Sequence, residues 1–158
     1  MASWGQFAVE QPELAGRVRG RLDGGLHKTL ATIRRDGAPR ISGNEAWIAG
    51  GELWFGCMWR SARALDLRRD PRFALHSQSA DGPAFAGDAT LSGRAEEVDD
   101  PDRVAVAVEP LEGVPGGSWH LFRADLSEVL MVALSEARDA MEIHIWRPGE
   151  AVRRVRRA

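Results

Sequence analysis

The spacing of hydrophobic and polar residues changes along this chain, and each change marks an element. Leu14, Val18 and Leu22 recur every four residues. Glu13 to Leu22 is therefore expected as an amphipathic helix, closed by Asp23-Gly24-Gly25. From Lys28 the period falls to two. Lys28, Leu30, Thr32 and Arg34 alternate with Thr29, Ala31 and Ile33, giving a strand that turns at Arg35-Asp36-Gly37 and returns from Arg40 to Ile48. Gly50-Gly51 turns the chain into a third strand, Glu52 to Cys57, so that a meander precedes a helix from Ala62 to Arg69, which Pro71 stops.

The second half continues in short apolar runs. Arg72 to Gln78 reads as a fourth strand and Phe85 to Val98 as a fifth, with Gly87 and Gly93 allowing bends. Asp100-Pro101 suits the start of a short helix within Asp99 to Val108. After a Gly- and Pro-rich loop from Gly113 to Gly117, the remaining strand candidates are Leu121 to Val132, Met141 to Trp146 and Val152 to Arg156. Short strands with turn signals at these intervals predict a mainly β fold, a barrel whose open ends are covered by one or two helices. No repeat or break in composition divides the 158 residues. One domain is expected, with residues 1–25 as an N-terminal helical region and 26–158 as the barrel.

Composition removes several classes of function. A hydrophobic content of 44% is enough for a core, and a formal charge of −2 gives no general attraction for nucleic acid or an anionic membrane. No apolar run approaches bilayer length, and MASWGQFAVEQPELAG lacks the basic-then-apolar layout of a secretory signal, so a cytoplasmic location is expected. Cys57 is the only cysteine, which rules out an internal disulfide and any multi-cysteine metal centre. The four histidines show no close ligand spacing and there is no GxSxG elbow, so neither a metal site nor a serine hydrolase is expected. Arg153, Arg154, Arg156 and Arg157 form a short basic cluster without interleaved aromatics, which suits an exposed terminal strand better than a nucleic-acid surface.

The segment with chemical content runs from Leu53 to Ser77, LWFGCMWRSARALDLRRDPRFALHS. Ser61 is placed to cap the helix that begins at Ala62, and Arg63 stands in its first turn, where backbone N–H groups are unpaired. Such a corner attracts anions through its amides and dipole, and an arginine adds charge-assisted hydrogen bonds. A second reading pairs Arg63 with Asp66 or Asp70 on a solvated helix face, and the residues alone leave both open. Arg68 and Arg69 are expected to be solvated or paired with acids.

Three segments, HKTLATIRRDGAPRISG (His27 to Gly43), GELWFGCMWRSARALDLRRDPRFALHS (Gly51 to Ser77) and EIHIWRPGEAVRRVRR (Glu142 to Arg157), resemble in order and spacing the flavin-binding split-barrel family related to pyridoxamine 5′-phosphate oxidase, especially its small actinobacterial members. The resemblance implies a split β-barrel of the FMN-binding type with short peripheral helices, forming a homodimer with a cofactor in each cleft between subunits. It implies that Arg63 and Ser61 hold the flavin phosphate. Ser42, Gly43 and Asn44 would lie against the ring, with Cys57 and Met58 beneath it. The plainer readings are a polar strand face with a bulge at Ser42 to Asn44 and core filling by Cys57 and Met58.

Trp59 and Arg60 depart from the small or Pro-Gly residues expected before the helix serine in close relatives. The indole either contacts the cofactor and its entrance or is exposed or packed in a dimer. Trp146 is expected as a core or subunit anchor, Trp47 and Trp54 as structural residues, and His76 as a hydrogen-bonded structural histidine.

The implied function is a flavin-dependent oxidoreductase that transfers a hydride or electrons between bound FMN and a small organic substrate. FMN comes first because its phosphate matches the Arg63 corner. The alternative is a deazaflavin coenzyme, whose longer acidic tail would draw on Arg60, Lys28 or the C-terminal arginines. A noncatalytic module binding flavin, haem or another small ligand is a further reading. No residue is assigned a general acid or base role, because the cofactor carries the chemistry.

Overall fold

Ser3 and Gln6 exchange side-chain and backbone hydrogen bonds in a capping box, and this starts helix α1 (Trp4–Glu10). The computed structural model describes residues 1–25, 27–79, 85–112 and 118–158. Helix α1 lies outside the elements expected from periodicity, although the Ser3-x-x-Gln6 spacing is its signal. Helix α2 (Pro12–Asp23) follows, with Pro12 at its first turn and Leu14, Ala15, Val18 and Leu22 buried as the four-residue spacing predicts.

Among the described residues, eight strands form one antiparallel sheet: β1 (His27–Ile33), β2 (Pro39–Ala49), β3 (Glu52–Met58), β4 (Arg72–His76), β5 (Asp88–Glu97), β6 (Trp119–Leu134), β7 (Met141–Trp146) and β8 (Arg153–Arg157). Their order is β3-β2-β1-β4-β5-β6-β7-β8, and a further β3–β6 pairing closes β1 to β6 into a barrel. The first three strands are the expected meander. Helix α3 (Ala62–Arg69) has the bounds read from the sequence and carries the chain from β3, beside β2, to β4, beside β1. Helix α4 (Pro101–Val108) begins at the Asp100 cap, whose side chain accepts from Arg103 N–H.

Strand β6 is the scaffold's long member. Trp119 to Ala124 pair with β3, Phe122 to Val132 with β5, and Val129 to Leu134 with β7. Strand β5 begins at Asp88, later than the Phe85 expected. Its register shifts at Ser92/Gly93, where a Cβ on Gly93 would fall 1.8 Å from the Asp125 carbonyl oxygen. Only glycine permits that approach. The expected loop from Gly113 to Gly117 lies outside the described residues.

Alternation on β3 divides the interior. Leu53, Phe55 and Cys57 point into the main core with Leu30, Leu75, Leu91, Phe122 and the α1–α2 residues. Trp54 faces outward into a smaller cluster with Ala49, Val98, Ala107 and Leu121, beneath α4. There Trp47 Nε1 donates to the Ala107 carbonyl at 2.6 Å. Trp146 is fully buried against Phe7, with ring centres 4.6 Å apart, and donates to Glu10, which fastens α1 to β7. The structural roles read for Trp47, Trp54 and Trp146 therefore hold within this chain.

Candidate functional site

The candidate site is built where β3 ends and α3 begins. Ser61 N–H donates to the Met58 carbonyl at 3.0 Å, closing a four-residue turn around Trp59 and Arg60. Arg60 has φ of +54°, the third-position geometry of a type II turn, which glycine normally occupies. Contacts from β5 and β6 compensate. The Arg60 N–H donates to His120 Nε2 at 3.1 Å, and His120 Nδ1 lies 2.5 Å from Glu97 Oε1. Because a backbone amide can only donate, Nε2 is the acceptor and Nδ1 carries the hydrogen given to Glu97, which makes the buried imidazole neutral. The Trp59 indole stacks on this imidazole at 4.6 Å and 10°. Arg68 on α3 forms an ion pair with the other oxygen of Glu97 at 3.0 Å.

Past this turn, donors are left over. Ser61 occupies the N-cap position in extended geometry, but its hydroxyl makes no capping bond, unlike the expectation from sequence. Ser61 Oγ, Ser42 Oγ and Arg63 Nε are all buried without a hydrogen-bond partner. The pairing read as the alternative for Arg63 is not formed. Asp66 is engaged by Arg40 and Arg69, and Asp70 by Arg72. Instead the Arg63 guanidinium stands by the Cys57 thiol. Burial pushes that thiol's pKa up, and hydrogen bonding and charge from Arg63 oppose the shift. The protonated thiol donates to Asn44 Oδ1 at 3.7 Å, while Asn44 Nδ2 donates to the Glu45 carbonyl at 2.7 Å.

The seven residues singled out from sequence do not share one face. Ser42 and Asn44 lie on one face of β2, and Asn44 is buried opposite Cys57. Gly43 is on the other, exposed face, where a Cβ would meet nothing within 4 Å. Cys57 is 2% exposed and Met58 is 69% exposed, as neighbours on a strand must differ. Ser61, Arg63, Cys57 and Asn44 thus gather at the end of the barrel, with Ser42 next along the inner face of β2, whereas Gly43 and Met58 look outward. The sequence reading missed His120 and Glu97. Their links to Arg60 and to each other span 60 and 23 positions, and the sole local signal was a non-glycine turn before the helix serine.

Of the other cations read from the sequence, Lys28, Arg68, Arg69 and Arg156 are engaged. Lys28 Nζ donates to the Ala46 carbonyl at 2.9 Å, and burial pushes its pKa down against the raising effect of Asp23 and Glu45. Arg156 on β8 pairs with Asp139 at 2.8 Å. Arg68 and Arg69 pair with Glu97 and Asp66, as expected. Beside the turn, a cleft of about 500 Å³ is lined by Trp59, Arg68, Glu97, Asp99, Trp119 and His120, among others, a volume suited to a small organic molecule. Among the described residues no group of three or more His, Cys, Asp or Glu is placed to hold a metal, and no helix is long and apolar enough to cross a membrane.

Neither a protein-family model nor a curated protein sequence matches the chain. Solved structures do. A pyridoxamine 5′-phosphate oxidase-related, FMN-binding protein from Nostoc punctiforme superposes with a TM-score of 0.62 at 13% identity, over 92% of this chain and 95% of that one. A haem-binding protein from Mycobacterium smegmatis gives 0.64 at 15% identity, over 94% and 89%. An F420 reductase gives 0.52 at 20% identity, over 66% and 88%. At these identities the likeness is one of fold, and the fold is the split barrel.

Proposed function

We propose that this chain, a split barrel of the pyridoxamine 5′-phosphate oxidase-related kind, binds FMN by its phosphate at the Ser61–Arg63 corner and acts as an oxidoreductase on a small organic substrate. The observation that carries this reading is the set of three buried donors with no partner among the described residues, Ser42 Oγ, Ser61 Oγ and Arg63 Nε. An unsatisfied buried polar group costs about 1–3 kcal/mol, more when charged, so Ser61 and Arg63 at the start of α3, with Ser42 on β2, favour a polar guest. A phosphate at the corner accepts from Ser61 and Arg63 and adds charge complementarity to Arg63 and the first-turn amides of α3.

When bound, the flavin supplies the hydride or electron transfer. The protein's part is to position and to shield. Arg63 and Ser61 fix the phosphate end, and Asn44 with Cys57 closes the inner wall beneath them. The Trp59 turn and the adjoining cleft leave room for the substrate. Gly43, Met58 and Ile41 form an outward apolar face, Met58 and Ile41 being 69% and 72% exposed. This supports a homodimer in which a second subunit covers the ring.

Two alternatives each have a specific support. The likeness to an F420 reductase favours a deazaflavin coenzyme in the same corner, since that coenzyme also carries a phosphate. The likeness to a haem-binding protein favours ligand binding without turnover. Native mass spectrometry with absorbance spectra, on protein titrated separately with FMN and the deazaflavin coenzyme, separates them. One FMN per subunit of a dimer is the expected result. Binding of neither cofactor would overturn the proposal.

A further inference from the structure

The Trp59-Arg60 turn sets where Ser61 and Arg63 stand, and this chain holds the turn by an unusual device. A non-glycine residue in the left-handed region costs about 1–2 kcal/mol and persists only where its surroundings impose it. Here Arg60 is in that region, directly before the helix cap. Its amide is tied to His120 Nε2, the preceding indole lies flat on the same imidazole, and the imidazole is anchored by Glu97. Glu97 also holds Arg68, one helical turn and a half beyond Arg63. One carboxylate therefore ties both ends of the segment, the turn through His120 and the helix through Arg68.

We propose that His120, anchored by Glu97, is a positioning residue that holds the Trp59-Arg60 turn and with it the Ser61–Arg63 corner, and that protonation of its imidazole releases the turn and weakens anion binding there. This rests on the phosphate-corner reading for its functional consequence, but the device itself is a property of the protein without cofactor. The imidazole accepts the Arg60 N–H only through an unprotonated Nε2. A proton on that nitrogen sets two donors against each other across 3.1 Å. The hydrogen bond is lost, and with it the contact that offsets the left-handed strain at Arg60. The turn then relaxes toward another backbone geometry and Ser61 moves with it.

The charged and titratable groups around the ring fit such a switch. Glu97 from β5 faces Nδ1. Arg68 from α3 shares that carboxylate. Cys57, the cross-strand partner of His120 on β3, is held as a neutral thiol with Arg63 beside it. Asp99 stands with His120 at the lining of the cleft. Of the two charge states of the ring, only the neutral one fits the turn.

The test begins on the protein without cofactor. Long-range ¹H–¹⁵N spectra of the histidine rings and amide spectra are recorded between about pH 8 and pH 5.5, the span in which histidines ordinarily titrate. The expected result is an Nδ1–H tautomer for His120 at the upper end, with the Arg60 and Ser61 amides and the Trp59 signal moving at the same midpoint as the ring. An Nε2–H tautomer, or ring protonation that leaves those amides still, overturns the proposal whether or not a flavin binds.

The second arm measures FMN affinity across the same range in the wild type and in His120→Gln. Glutamine offers a carbonyl to Arg60 and an amide to Glu97 but does not titrate. The phosphate's own ionisation affects both proteins equally. Wild type is expected to lose about tenfold more affinity than His120→Gln on acidification, a coupling of ordinary size for linked sites. Equal pH profiles would overturn the switch. Failure of FMN to bind either protein counts against the flavin reading alone, because the amide spectra still decide the device.

Discussion

Arg40 on β2 donates its Nε hydrogen to Asp66 Oδ2 of α3 at 2.6 Å, and the same carboxylate oxygen accepts from Thr32 of β1 at 3.0 Å. Arg69 reaches the other oxygen at 3.3 Å and also donates to the Ile33 carbonyl. Asp66 is almost wholly buried, so a single side chain pins the helix across the end of the barrel and fixes where its first turn presents Arg63.

Replacing Asp66 with alanine therefore leaves Arg40 half-buried and without its partner. The expected loss is about 2–3 kcal/mol, somewhat below the 3–5 usual for a fully buried pair because Arg40 keeps partial access to water. Urea denaturation measures it as a lower midpoint.

The same carboxylate gives a pH signature. Burial pushes the Asp66 pKa up, but the hydrogen bonds from Arg40, Thr32 and Arg69 and the nearby positive charge outweigh it and hold the group below its ordinary value. A depressed folded-state pKa means stability that is present above the unfolded value, near pH 4, and lost as pH falls through the folded one. The wild type is expected to lose stability below about pH 4 more steeply than Asp66→Asn. Parallel curves in urea titrations at several acidic pH values would contradict the assignment.

Gly93 tests the barrel itself. A methyl group there meets the Asp125 backbone within 1.8 Å, and neither strand can yield without breaking pairs of the β5–β6 ladder. Gly93→Ala is expected to cost at least about 2 kcal/mol, in the range of overpacking, read from thermal or urea unfolding. Gly43→Ala, where the added carbon meets nothing, is the matched control and is expected to change stability by less than about 1 kcal/mol.

Arg60→Gly removes left-handed strain at the turn. It is expected to stabilise the protein by roughly 0.5–1 kcal/mol, the strain relief less the added freedom of glycine in the unfolded chain. It is also expected to make loss of the His120 acceptor less harmful. A double-mutant cycle with His120→Gln, read by urea unfolding, measures that dependence as a coupling energy.

Much of the architecture was legible because it is local. Ser61 and Pro71 bracket α3, and the apolar run Met141 to Trp146 gave β7 its bounds. The pairing of β3 with β6 and the bond from Arg60 to His120 were not legible, since each joins residues 60 or more positions apart. The site was read in part for the same reason. Ser61 and Arg63 follow from a strand, a turn and a helix in sequence, whereas the division of Ser42 and Asn44 from Gly43, and of Cys57 from Met58, follows from a pleat whose inner face is fixed only by the closed barrel. Helix α1 had a readable signal in Ser3 and Gln6, too short to register as a periodic pattern.

The most direct test of the phosphate corner is equilibrium titration with FMN and with riboflavin, which lacks the phosphate, in the wild type and in Arg63→Ala. The fold is expected to persist, since Arg63 Nε has no partner among the described residues and the interaction lost is the guanidinium's contact with the neutral Cys57 thiol. The expected result is FMN bound at least about tenfold more tightly than riboflavin by the wild type, as a charge-assisted hydrogen bond of about 1.5–3 kcal/mol requires, with the preference lost in Arg63→Ala. An undiminished preference for FMN in Arg63→Ala would contradict the assignment.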